Sequence, residues 1–159
     1  IYRLRKMLNK LKDILGIEGV KISLELNDES AITPGIIKGK LVFTSQSTRH
    51  INKIKVKLIE KYKRGRKEAK LINNYLLGSL ELEVDFKIDK GESKSIAFKL
   101  PYNLMKSEMD VMEDESFLTK PFYLLAKKLK NVSSDYRLEA TAIITGTKFH
   151  PITEEMIEL

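Results

Sequence analysis

The chain has 159 residues, 42% hydrophobic and 32% charged, with a formal net charge of +7 at pH 7 and no cysteine. That length suits one domain able to bury roughly 70% of its unfolded surface. The missing cysteines exclude disulfides, thiol catalysis and Cys-based zinc sites, and no apolar run approaches the roughly 20 residues that span a bilayer.

No secretory signal is read, although a first residue of Ile1 rather than Met leaves a trimmed leader open. A cytoplasmic location is therefore the expectation, with a position at the membrane periphery as the alternative. Charge is uneven along the chain. Residues 1–70 hold 18 Lys/Arg against 7 Asp/Glu, whereas residues 71–159 hold 11 against 15. Such asymmetry marks either a basic binding face or one half of a sheet supplying cations that the other half neutralises.

Over residues 1–16, Leu4, Leu8, Leu11 and Leu15 with Met7 and Ile14 form an apolar stripe, flanked by Arg3, Arg5, Lys6, Lys10 and Lys12. This spacing predicts a basic amphipathic helix, ended by Gly16 and Gly19. Val20, Ile22, Leu24 and Leu26 alternate with Lys21, Ser23 and Glu25 and predict a strand. Asn27 to Gly35 reads as a turn-rich connection. Ile37, Gly39, Leu41 and Phe43 form one face of a second strand, followed by a polar turn from Gln46 to Arg49.

From about Ile51 to Tyr62 lysine alternates with aliphatic residues, and from about Tyr75 to Ile88 aliphatic residues alternate with acids. Each segment predicts a strand with one buried and one charged face. Arg64-Gly65-Arg66-Lys67 reads as the hairpin between them. If paired residue numbers sum to 138, Lys57 faces Glu81, Lys55 faces Glu83 and Lys53 faces Asp85, and each pair contributes roughly 0.2–1 kcal/mol. Asp89-Lys90-Gly91-Glu92 is a turn, Ser95 to Leu100 a short strand stopped by Pro101, and Tyr136 to Thr147 a returning strand. Between them, residues 103–131 predict a helical insertion, with Thr119 and Pro121 starting a helix that carries Phe122, Leu125 and Leu129 on one side.

Chemistry is thin. His50 and His150 stand in no metal-ligand spacing, and no GxSxG, P-loop or GxGxxG occurs. The cluster Asp110, Glu113, Asp114 and Glu115 lacks the EF-hand pattern and reads as a solvated turn. Met105, Met109 and Met112 read as packing. Catalytic, cofactor-binding and metal-binding residues are therefore expected to be none.

The binding candidates are Lys61, Lys63, Arg64, Arg66, Lys67 and Lys70 in the basic hairpin, and Arg3, Arg5, Lys6 and Lys10 in the N-terminal helix. Clustered cations suit phosphate or an acidic partner. The hairpin lacks the interleaved aromatics that single-strand binders stack on, Tyr62 and Tyr75 being the nearby ones, so nucleic acid is not the expected partner. The helix suits an anionic membrane or a partner's groove, or its stripe packs on the sheets or on a second copy.

Ile32-Thr33-Pro34-Gly35-Ile36-Ile37-Lys38-Gly39-Lys40-Leu41-Val42-Phe43 resembles the Pro-Gly…Gly-x-Val/Leu element of arrestin-like domains. Leu15-Gly16-Ile17-Glu18-Gly19-Val20-Lys21 resembles the opening of the bacterial sporulation-control (stage-zero protein M) family. Tyr62-Lys63-Arg64 and Lys90-Gly91-Glu92 followed by Ile96-Ala97-Phe98-Lys99-Leu100-Pro101 extend the likeness over residues 11–102. Residues 103–131 depart from it as an insertion, and the chain holds about one arrestin-like half. The resemblance implies a mainly β fold: an immunoglobulin-like, arrestin-like antiparallel β-sandwich over residues 17–159, with the N-terminal helix and helical insertion attached. It also implies a non-enzymatic regulatory or scaffolding module that binds protein partners, with homo-oligomerisation open. The alternative is a peripheral membrane-surface or polyanion-binding module using the basic helix and hairpin.

Overall fold

Alternation at period two runs through most of the chain, and in the computed structural model it becomes two antiparallel sheets. Residues 19–26, 31–65, 70–104 and 132–159 are described. The expected N-terminal helix, the helical insertion and the acidic and methionine clusters lie outside the described residues, apart from residues 103 and 104 at the start of the insertion.

The first sheet contains β1 (Val20–Glu25), β2 (Ile32–Thr33), β3 (Ile36–Ser45) and β6 (Ser93–Pro101). β6 runs along one side of β3, and β1 and the short β2 share the other. The second sheet has the order β5-β4-β7-β8, from β4 (Arg49–Arg64), β5 (Leu71–Ile88), β7 (Ser133–Ile144) and β8 (Ile152–Ile157). β2 falls inside the stretch read as a turn, and β8 lies where no strand is expected from alternation. Both are short, and Glu154-Glu155 breaks the period in β8.

The predicted inner faces close on one core. Ile37, Leu41 and Phe43 from β3 and Leu100 from β6 meet Ile54, Val56 and Leu58 from β4 and Leu138 from β7, all fully buried. Phe43 packs edge-on against Phe86 of β5, with ring centroids 5.5 Å apart at 72°. Branched aliphatics and aromatics at every second position favour the pleated backbone, because each fills the space above its own face.

The lysine and acid ladders do pair, but two residues out of the expected register. Lys53 faces Glu83, Lys55 faces Glu81, and Lys57 faces Ser79. Asp85 instead meets His50, with His50 Nε2 3.0 Å from Asp85 Oδ1. The cause is two bulges on β5. Val84 and Asp85 together oppose Asn52, and Leu77 is an extra residue between the Leu58–Gly78 and Ile59–Leu76 pairs. Asp85 takes φ +43°, in the left-handed region, which a bulge residue often adopts. Between the two bulges the error is even-numbered and leaves each side chain on its expected face, because the strand period is two; beyond Leu77 the offset is odd, and Leu76 turns outward. Asn52 is also extra against β7, which explains why Ile51 and Ile54 are both buried although three apart.

Candidate protein-binding surface

The outer face of the β5-β4-β7-β8 sheet carries the charge that the sequence sets at alternate positions. Along its middle that charge is answered. Lys53 lies 2.8 Å from Glu83 and 3.4 Å from Glu81, and Lys55 lies 3.0 Å from Glu81. Hydrogen bonding to Glu83 holds the Lys53 ammonium above its usual range, and the Lys55 hydrogen bond holds the Glu81 carboxyl below its own. On β7, Arg137 reaches Glu139 at 3.5 Å and Glu154 of β8 at 3.6 Å. Exposed pairs of this kind stabilise little individually. Together they leave the centre of the face nearly neutral.

At the far end of the long hairpin the balance differs. The fold brings four of the ten candidate cations together there: Lys61, Lys63 and Arg64 close β4, and Lys70 precedes Leu71, which pairs with Arg64. Lys63 is ion-paired with Asp135 of β7, the residue directly opposite Lys61. Lys61, Arg64 and Lys70 are exposed and form no ion pair among the described residues. Arg66 and Lys67, and Arg3, Arg5, Lys6 and Lys10 of the expected helix, lie outside the described residues.

Beneath these cations the inner side is polar and aromatic. Glu60 is buried among Tyr75 and Tyr136, its cross-strand partners, and accepts a 2.6 Å hydrogen bond from Ser134 Oγ. Tyr62 and Tyr75 approach with ring centroids 6.4 Å apart. A buried carboxylate needs such partners, because an unpaired one costs heavily.

A second feature went unread in the sequence. Leu71, Ile72 and Leu76 on β5 are 55%, 47% and 56% exposed, and Ile152 and Met156 on β8 are 51% and 61% exposed. The signal was present: Leu71 to Leu80 holds no charged residue in a chain that is 32% charged. Among the described residues no group of three or more His, Asp or Glu side chains is placed to hold a metal, and no helix is long and apolar enough to cross a membrane.

Two antiparallel sheets closed on one apolar core, with the polar machinery confined to outer faces and strand ends, define the class as a β-sandwich. Residues 4–106 match the family model for Spo0M, described as SpoOM protein, and the chain belongs to that family. Its fold is similar to the crystal structure of Spo0M, sporulation control protein, from Bacillus subtilis, at 15% identity and a TM-score of 0.60. That match covers 89% of this chain and 49% of the other, so the chain spans about half the length of the solved protein. A crystal structure of a protein from Archaeoglobus fulgidus matches over 89% of this chain and 93% of its own, at 9% identity and a TM-score of 0.40. No curated protein sequence matches the chain.

Proposed function

We propose that this Spo0M-family chain is a non-enzymatic sporulation-control module that binds other proteins in the cytoplasm through the basic end of its long β4–β5 hairpin. The observation that carries the reading is the grouping of Lys61, Arg64 and Lys70 at a strand end where Asp135 is already engaged by Lys63. Cations held on a rigid two-strand platform suit an acidic protein surface, where they steer encounter and set orientation.

The test is charge reversal of Lys61, Lys63, Arg64 and Arg66 to Glu, followed by affinity capture from the native cell and a spore count. Loss of specific captured proteins together with altered spore yield supports the reading. An unchanged captured set and unchanged spore yield overturn it. Co-sedimentation with anionic vesicles separates the membrane reading. Vesicle binding by the wild type that disappears in the reversed variant, with protein capture unaffected, replaces a protein partner by a lipid surface.

A further inference from the structure

Sheet edges expose unpaired backbone groups, and folded chains guard them with charge, proline, bulges or inward-pointing carboxylates. In the first sheet, β6 carries Lys94 and Lys99 and ends at Pro101, and β1 carries Lys21 and Glu25. In the second sheet the upper part of β5 is guarded by Glu81, Glu83, Asp85 and Lys87. At Leu77–Gly78 the edge is covered by the chain itself: Asn103 N–H donates to the Leu77 carbonyl at 3.0 Å. Below that point, Leu71 to Leu76 has neither charge nor proline, and no described strand lies on its open side.

The opposite edge of the same sheet has the matching character. β8 is Ile152-Thr153-Glu154-Glu155-Met156-Ile157, followed by Glu158, and it pairs with β7 alone among the described strands. One edge is apolar with cations at its end, and the other is apolar with acids through it. Both free segments are six residues long.

We propose that β8 of one copy adds to the Leu71–Leu76 edge of another, continuing the sheet head to tail. β4 and β8 run in one direction and β5 and β7 in the other, so a copy that continues the sheet presents β8 antiparallel to β5. The face assignments then select the register. Ile152, Glu154 and Met156 lie on the outer face, as do Ile72, Asn74 and Leu76. With paired numbers summing to 228, Ile152 meets Leu76, Glu154 meets Asn74, and Met156 meets Ile72. On the inner side Ile157 meets Leu71, and beyond the strands Glu158 meets Lys70. Strand addition of this type supplies main-chain hydrogen bonds, while side chains at alternate positions specify the partner. Because the two surfaces differ, the contact is heterologous and does not close on two copies unless the rotation closes a ring.

The test is sedimentation velocity on the whole chain over a wide concentration range, with Ile72→Lys and Met156→Lys. Both side chains are about half exposed or more, and unchanged far-UV circular dichroism and melting temperature confirm that each variant folds. The expected wild-type behaviour is a mean mass that rises with concentration beyond two copies. Each variant alone is monomeric. An equimolar mixture forms a complex that stops at two copies, because Ile72→Lys keeps an intact β8 and Met156→Lys an intact β5 edge. A wild type that stays monomeric overturns the proposal, as does a mixture that does not associate. A Met156→Lys variant that still dimerises overturns it in favour of β5–β5 pairing.

Discussion

Replacing Gly78 with alanine tests how the sheets are joined at the edge of the sandwich. A Cβ at this position would stand 2.5 Å from the Pro101 carbonyl oxygen and 3.0 and 3.2 Å from Tyr102 Cβ and Cα. Two of those three atoms are backbone, so the end of β6 and the segment that follows it must move away from β5. Overpacking of this kind costs about 1–3 kcal/mol, and losing the adjacent Asn103–Leu77 hydrogen bond adds about 1 kcal/mol. Alanine recovers about 0.5–1 kcal/mol by restricting the unfolded chain. The expected net loss is about 1–3 kcal/mol, or a fall in melting temperature of about 3–10 °C for a domain this size. Urea denaturation followed by circular dichroism measures the loss, and amide hydrogen exchange reads Asn103 directly. Gly91→Ala is the control: φ is +77° with no atom within 4 Å, so it strains the turn by about 1–2 kcal/mol and leaves Asn103 protected. A Gly78→Ala loss below about 0.5 kcal/mol, within the range of neutral surface changes, or full protection of Asn103, would refute the close approach.

Four further outcomes follow from the same contacts. Leu58→Ala empties a fully buried site at the centre of β4 and should cost about 2–5 kcal/mol by denaturant titration. Ser134→Ala removes the donor to buried Glu60 and should cost about 1–3 kcal/mol, with Ser134→Thr recovering part of it. Glu81→Gln should lower the melting temperature at neutral pH. The Glu81 carboxyl is held below 4.5, so its contribution is present above that value and is lost as pH falls into the depressed range, where variant and wild type converge. Glu155→Gln should do the opposite. Burial pushes the Glu155 carboxyl above 4.5, so its ionisation opposes folding as pH rises through the raised range. The variant should melt higher at pH 7, with the difference vanishing in acid.

What could be read from the sequence was whatever period two encodes. Val20 and Ile22, Ile37, Leu41 and Phe43, and Leu138, Ala140, Ala142 and Ile144 all sit on the faces their alternation demands. Register was not readable from the same signal. Charge complementarity scores Lys57–Glu81 and Lys55–Glu81 alike, and what chooses between them is a pair of extra residues in β5. The irregularity at Asn52 of β4, which is extra against β7, did leave a mark, because Ile51 and Ile54 are apolar three apart, a spacing that no regular strand buries on one side. The other, at Leu77, was hidden by Leu76-Leu77, since either leucine can face inward. β8 was missed for a related reason: its Glu155 is on the inner face opposite Leu138, which breaks the alternation by which a strand is recognised. The basic end of the hairpin was legible as composition, but its engagement by Asp135 depends on β7 arriving beside β4 from 72 residues away.

The charge asymmetry between the two halves of the chain now has a spatial meaning. Cations from β4 are met by acids from β5 and β7, as Lys53 and Lys55 are by Glu81 and Glu83, and Lys63 by Asp135. Were that the whole account, the sheet would be neutral across its width. Among the described residues, Lys70 before β5, beside Lys61 and Arg64, forms no ion pair, and neither does Glu158 after β8. The sheet is therefore polarised from one edge to the other, and those are the edges whose exposed side chains are leucine, isoleucine and methionine. Charge interspersed along an edge repels a neighbour of any kind, whereas charge of opposite sign at two apolar edges repels like edges and admits unlike ones. Raising salt should therefore weaken the head-to-tail contact less than it weakens its selectivity. In sedimentation at high ionic strength the wild-type mean mass should still rise with concentration, because main-chain hydrogen bonds and apolar side chains carry the contact.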